Sequence, residues 1–501
     1  MKDSNALNIP ALIPRPKNIT LTGKTAPADA AVTEQTAPDL AGEAYRLLVT
    51  PESILIAAAS PAGFARAKST LEQLRFSYRD RIPCMEISDA PEKPYRSFHI
   101  DCARHFIPVE ELKKIISMAS LFKLNKFHWH FSDDQGWRIE SRAFPLLHQT
   151  GARRRGDHFG SYVSDDEEWH YYTRDEVKDL VAFCGNLGIE IVPEVDLPGH
   201  VSAILAAYPM LSCHGNPVEV QTKSGIFRDI LCPGKEETFA FLEELLSDLL
   251  ELFPGDYFHI GGDEAPKGQW ETCPHCRGRM EEEHLTDLRQ LQGYFNNRVA
   301  AFLKARGKTV IAWNEAARGG NLDPDIVLQL WNDGKAPGSG EIHTTGKEHL
   351  ARGGRVIMST MMNAYCDYPY AFIPLKKTYG LSLVPYGMES LTPEEEGRVL
   401  GTECLLWTEY IRDWDKLERL AWPRFVSGAE LGWCGGAPGE YGDFKRRLTA
   451  LYPVFSAHGI NAEKMSAWDP GPVEAARQLL EFKKNFPKDV LRDFKNSQES
   501  V

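Results

Sequence analysis

The chain has 501 residues, 43% of them hydrophobic and 25% charged, the balance of an ordinary globular protein rather than a disordered or fibrous one. Its 57 basic and 70 acidic side chains leave a formal charge of −13, which argues against nucleic acid or an anionic membrane as the main partner, although a local basic patch could still exist. The length exceeds one small domain and suits a large single-core barrel with additions.

The first residues, MKDSNALNIPALIPRPKNI, hold no uninterrupted apolar run and carry prolines where one would lie. No secretory signal and no bilayer-spanning stretch is expected, so no membrane insertion. Ten cysteines without a signal fit a reducing compartment, with the cytoplasm as the default location unless a leader has been removed.

Residues 1–93 read as a small α+β domain. YRLLVT (45–50) and SILIAAAS (53–60) predict two strands, FARAKSTLEQLRF (64–76) predicts an amphipathic helix, and the Ala-rich stretch 26–43 predicts a loop. APEKP (90–94) is a plausible linker. From residue 94 the rhythm changes to strands alternating with helices. The strand candidates are RSFHI (96–100), KFHWHF (126–131), IEIVPEV (189–195), YFHIGG (257–262), TVIAW (309–313), IVLQLW (326–331), RVIMST (355–360) and ECLLW (403–407). Between them EELKKIISMASLF (110–122) and FAFLEELLSDLLELF (239–253) repeat apolar residues at helical steps, and Thr173 with Glu176 makes a capping box.

Eight short apolar strands with helical crossovers predict the α/β class, a (β/α)8 TIM barrel over 94–440. A doubly wound sheet is the rival, but DCARHF after the first strand is not the Gly-rich phosphate loop it would carry. Residues 441–501 predict a helical C-terminal extension, including VEAARQLLEFKKNF (473–486).

Unusual side chains fall at the strand ends. Arg104 follows the first strand, Asp133 and Asp134 the second, Asp196 and His200 the third, Asp263 and Glu264 the fourth. Trp331 ends the sixth, Tyr365 and Asp367 follow the seventh, and Trp407 and Glu409 close the eighth. Any one of these acids alone is more often a cap or turn former, and a lone Trp is more often core. Together they describe a polar pocket with flat apolar walls on the C-terminal rim of a barrel, the build of a sugar site. The adjacent acids of FHIGGDEAP can reach different parts of one ligand, and their proximity is expected to raise the pKa of one of them. A neutral acid beside an anion is equipped for proton transfer.

HIGGDEAP resembles the signature of the family 20 glycoside hydrolases, the β-N-acetylhexosaminidases, and IDCARHF (100–106), KFHWHFSDDQGW (126–137), GIEIVPEVDLPGH (188–200), VLQLW (327–331), AYCDY (364–368) and GTECLLWTE (401–409) resemble further motifs of it. The resemblance spans about residues 40–440, and the front module is similar to the small domain that commonly precedes this barrel. It implies an exo-acting, retaining hydrolase of terminal β-linked GlcNAc or GalNAc in which the substrate's 2-acetamido oxygen attacks the anomeric carbon, forming an oxazolinium ion, with no cofactor. On this resemblance Asp263 orients the acetamido group and Glu264 is the general acid and base. Asp133 and His200 would tune that acid. Arg104 and Glu409 would bind sugar hydroxyls, Tyr365 and Asp367 the acetamido region, and Trp331 and Trp407 would wall the pocket. Two alternatives stay open: a non-catalytic glycan-binding protein on the same barrel, and a retaining glycosidase with a carboxylate nucleophile.

Three other signals remain. His128 and His130 have the spacing of metal ligands on one strand face, but lack a second pair, so packed, hydrogen-bonded histidines are expected. Cys273 and Cys276 form a C-x-x-C, and Cys213 and Cys232 precede it. Four thiolates on neighbouring loops could clamp a structural zinc; free thiols, or a disulfide in an exported form, are the alternatives. The basic runs ARRRG (152–156) and FKRR (444–447) predict solvated surface.

Overall fold

The structure is a computed structural model that describes residues 10–155, 167–332, 344–411 and 413–485. Five strands, Asn18–Pro27 (β1), Val32–Thr36 (β2), Tyr45–Val49 (β3), Ile54–Ala58 (β4) and Arg81–Asp89 (β5), form one sheet in the order β1-β5-β3-β4-β2. One helix, Pro61–Tyr78 (α1), packs on it; Ser60 caps its start by accepting from the Gly63 amide at 3.0 Å, with proline at the first turn. Sequence periodicity finds only β3, β4 and α1. Strand β2 lies inside the Ala-rich stretch read as a loop, because every residue of it is exposed and so carries no inward-outward alternation. It is held instead by backbone pairing, parallel to β4.

Eight parallel strands close the barrel: Tyr95–Asp101 (β6), Lys126–His130 (β7), Glu190–Glu194 (β8), Tyr257–His259 (β9), Thr309–Trp313 (β10), Val327–Leu330 (β11), Val356–Met358 (β12) and Val399–Cys404 (β13). The last begins four residues before the predicted strand ECLLW. Strand β9 stops at His259 because Gly261 and Gly262 leave the ladder with φ of 65° and 108°. Crossover helices include Val109–Leu121 (α2), Arg174–Asn186 (α3), whose Thr173–Glu176 capping box is present, and Glu236–Leu250 (α4). Helix α2 turns Leu112, Ile115, Ile116 and Ala119 into the core, each large one contributing about 1.5–3 kcal/mol by burial. Among the described residues no helix is long and apolar enough to cross a membrane.

After β9 the chain makes Pro274–Glu282 (α5) and Leu288–Lys304 (α6), and after β13 it makes Trp414–Ala421 (α7) and Arg424–Cys434 (α8). Tyr441–Leu451 (α9) adds Phe444, Leu448 and Leu451 to the same core as the barrel, and Pro472–Asn485 (α10) follows. The end of the predicted helix 473–486, at residue 486, and Gly156 of ARRRG lie outside the described residues.

Inside the barrel the floor is apolar, with Tyr95, Val192, Ile311, Val327 and Ile357 in one cluster. Above it the lining turns polar. The alternation of KFHWH puts Phe127 and Trp129 against the outer core and leaves His128 and His130 to the interior, where both are fully buried.

Candidate active site

A hydrogen-bonded chain of charged side chains runs from the barrel interior to its C-terminal mouth. His130 pairs through Nδ1 with Glu194 and through Nε2 with Asp133 Oδ2 at 2.9 Å. The other Asp133 oxygen lies 3.2 Å from His200 Nδ1, and His200 Nε2 stands 3.6 Å from Glu264 Oε2. His128 pairs through Nδ1 with Glu403 Oε1 at 2.9 Å, so the two histidines of HWH are packed and hydrogen-bonded. Burial works against charge at His200, but the Asp133 carboxylate outweighs it and holds the imidazole pKa well above its usual value. Burial works against Asp133 too; Arg104, with Nη2 at 2.7 Å, and His200 overcome it and keep the carboxyl far below the usual range. The acid at the mouth therefore faces a cation, not a neutral ring.

The turn carrying the two acids is strained. Glu264 has φ of 44° and His200 has φ of 54°, left-handed values that cost a non-glycine residue about 1–3 kcal/mol and persist only where surroundings impose them. Close packing imposes them here. A Cβ on Gly261 would overlap the Asp196 carboxyl, and one on Gly262 would come within 2.9 Å of the Ala316 methyl. The Glu264 amide donates to Glu315 Oε2 at 2.5 Å, and the Gly262 amide to Asp196 Oδ1 at 3.1 Å. Both acids are half-buried: Asp263 has its Oδ1 buried, and the Glu264 side chain keeps 26% of its surface exposed.

Burial, with Glu264 adding to it, pushes the Asp263 carboxyl up to about 6. Asp263, with this raised pKa, is the residue that the family resemblance casts as the anion. Burial, and then the neighbouring Asp263, raise the Asp196 carboxyl well above the usual carboxylate range. Asp263 Oδ1, Asp367 Oδ1 and Trp331 Nε1 are buried and without a hydrogen-bond partner among the described residues. Buried orphans are rare, and three on one rim mark a place for a polar ligand.

Rings wall that place. Tyr365 lies between Trp331 and Trp407, 6.3 Å from each ring centre, and Trp407 rests on His99 at 4.4 Å. Burial and the nearby Asp263 keep the Tyr365 phenol protonated, a standing O–H donor. Arg104 lies over the face of Trp407, its guanidinium carbon 5.0 Å from the ring centre, and its Nε donates to Gln135 Oε1 at 3.0 Å. Burial raises the Glu409 carboxyl, with Arg104 opposing; burial and then Glu409 raise Asp367.

The structure brings the side chains named for this rim to one mouth. Asp134 is a cap: its Oδ1 accepts from the Ser202 amide at 2.9 Å and hydroxyl at 2.6 Å. Sequence reading gave no role to Asp196, Glu194, Glu315 or Asp101. Asp101 accepts from the Arg104 amide at 3.0 Å and from the Thr408 hydroxyl at 3.0 Å, tying the first strand end to the eighth. A carboxylate in an otherwise apolar strand, as in IEIVPEV, was the available signal for Glu194.

Comparison with known proteins identifies the family. The family model described as "Glycosyl hydrolase family 20, catalytic domain" matches residues 94–435, and "Glycosyl hydrolase family 20, domain 2" matches residues 10–90. A β-hexosaminidase of Porphyromonas gingivalis is 35% identical over 395 residues, 76% of this chain and 48% of that protein, so the chain spans about half of that relative's length. A β-hexosaminidase of Akkermansia muciniphila is 34% identical over 453 residues, 87% of this chain and 89% of that protein. The crystal structure of an exo-β-N-acetylglucosaminidase from Vibrio harveyi in complex with N-acetylglucosamine superposes with a TM-score of 0.79 at 27% identity, covering 91% of this chain and 78% of that one.

Proposed function

The chain belongs to glycosyl hydrolase family 20 and is a glycoside hydrolase, and from that premise we propose that it removes terminal, non-reducing β-linked GlcNAc or GalNAc from glycans with retention of configuration, using the sugar's own acetamido group as nucleophile. The observation that carries this reading is Asp263, with a raised pKa and a buried, unpartnered oxygen, beside Glu264, whose carboxyl stands 3.6 Å from His200.

In the first half-reaction the acetamido oxygen attacks C1 while the C1–O bond to the leaving group breaks. Glu264 gives its proton to the departing oxygen. The ring that forms is an oxazolinium, and positive charge grows on its nitrogen. Asp263, ionised, accepts the N–H and balances that charge, and the Tyr365 hydroxyl donates to the acetamido oxygen and aligns it. In the second half-reaction Glu264, now a carboxylate steadied by His200, takes a proton from water as the water attacks C1. The oxazolinium opens, and the product keeps the β configuration because C1 is inverted twice. Trp331, Tyr365 and Trp407 supply the flat surface for the sugar ring and exclude water.

Aryl β-GlcNAc and aryl β-glucoside, assayed side by side with a thiazoline mimic of the oxazoline, test the reading. Strong preference for GlcNAc and tight thiazoline inhibition support it. Comparable turnover of both sugars, or a trapped sugar–carboxylate ester, overturns it.

A further inference from the structure

Four of the ten cysteines converge at one point beside the active site. Cys276 Sγ lies 3.7 Å from Cys213 Sγ and 3.5 Å from Cys232 Sγ, and Cys232 Sγ lies 3.8 Å from Cys273 Sγ; all four sulfurs fall within 4.8 Å of one another. A tetrahedron of thiolates around zinc, with Zn–S of about 2.3 Å, has edges of about 3.8 Å. A disulfide needs about 2.0 Å between sulfurs, and here Cys232 and Cys276 are each shared between two neighbours rather than paired with one. The separations match a common centre. We propose that Cys213, Cys232, Cys273 and Cys276 hold a structural zinc ion.

The backbone around the sulfurs is built for it. Cys232-Pro233-Gly234 makes a tight turn in which the Lys235 amide donates to the Cys232 carbonyl at 3.4 Å. Cys273 caps α5 and Cys276 sits in that helix's first turn, where free amides and the helix dipole favour thiolates. The two turns touch: a Cβ on Gly234 would overlap the backbone of His275 and Cys276, so only glycine lets them meet. All four cysteines are buried, with Ile230, Ala265, Trp270 and Leu291 around them. Other buried thiols, such as Cys84 and Cys184, lie in the two large apolar cores instead. Complete ligation by sulfur leaves no open position, so the site is structural rather than catalytic.

Its position gives it a task. Cys213 and Cys232 close the base of a loop whose far part reaches the sugar pocket: the Gln221 amide donates to the Asp134 carbonyl at 2.9 Å, and Gln135, the partner of Arg104, donates to the Lys223 carbonyl at 2.7 Å. Cys273 and Cys276 lie on the segment that leaves Asp263 and Glu264, and Ala265 beside Glu264 belongs to the cysteine cluster. One ion would therefore tie the wall of the pocket to the turn that carries both acids. It would do so by closing long loops, where a cross-link removes most chain entropy.

Metal content decides the matter without reference to activity. The full chain, produced in zinc-supplemented medium and purified without chelator, is expected to hold about one zinc per chain, with these four thiols slow to react until a mercurial releases the metal. The Cys232→Ser/Cys276→Ser double variant is expected to lose the zinc, and Cys184→Ala to keep it. Less than about a tenth of an equivalent of zinc in the wild-type chain, with disulfides or freely reactive thiols at these positions, overturns the proposal; so does stoichiometric iron in its place. Should the double variant fail to fold, the wild-type measurement stands alone. A failed glycosidase assay leaves the zinc result unchanged, and absence of zinc leaves the glycosidase reading unchanged.

Discussion

Glu315 accepts the backbone N–H of Glu264 at 2.5 Å and thereby holds the turn that carries the acid proposed to give and take the proton. Burial, with Glu264 adding to it, lifts the Glu315 carboxyl to about 7, so near neutral pH it stands between a neutral and a charged acceptor. Replacing Glu315 by Ala frees the turn, and kcat/KM on an aryl N-acetylglucosaminide is expected to drop roughly 10- to 100-fold through misplacement of the acid. Glu315→Gln keeps an acceptor oxygen and should recover much of that loss. Equal activity of wild type and Ala variant would remove Glu315 from any positioning role.

Glu264→Gln keeps shape and loses the proton. Hydrolysis of a natural disaccharide should fall by about 100- to 10,000-fold, while an aryl substrate with a good leaving group, which needs little protonation, should lose much less. Steady-state kinetics on the two substrates checks the split. A uniform loss on both would mean that Glu264 serves binding rather than proton transfer.

The pH profile follows from Asp263. Its carboxyl sits at about 6 because burial disfavours the anion, and the reaction needs that anion. Raising a carboxyl's pKa moves loss of the charged form to higher pH. The kcat/KM of the free enzyme should therefore decline as pH falls through about 6, not through the usual carboxylate range near 4. A flat profile from pH 7 to pH 5 would contradict the assignment.

Arg104 has two jobs, and its removal should register in both. Its side chain is 7% exposed and pairs with Asp133 at 2.7 Å, so Arg104→Ala removes one of three partners of a buried carboxylate, leaving His130 and His200, and should cost about 1.5–3 kcal/mol in denaturant unfolding. Weaker sugar binding should appear as a higher KM at permissive temperature. Unchanged stability with a raised KM would mean that the pairing with Asp133 carries no structural weight.

The barrel was legible because its strands bury both faces and read as apolar runs, and because helices α2, α3 and α4 keep an apolar stripe at helical spacing. The rim residues were legible for a related reason: charge and aromatic rings at the ends of such runs have no place in a packed core. Strand β2 was not legible, since a fully exposed edge strand leaves no pattern in its side chains. Strand β13 was placed late because the apolar ECLLW continues past the point where the ladder ends, at Cys404.

The order of residues along this chain, read alone, determined that strands and helices alternate, that polar groups gather at one end of them, and that the family 20 motifs are present. Local periodicity and short motifs carry that information within a few residues. What only the folded chain decided is which groups face each other: Glu315 against the Glu264 amide, Asp196 against Asp263, His200 poised between Asp133 and Glu264, four sulfurs within 4.8 Å of one another. Most of those partners lie tens of residues apart or depend on left-handed turns, and proton affinity depends on burial and neighbouring charge, which spacing along a chain does not contain.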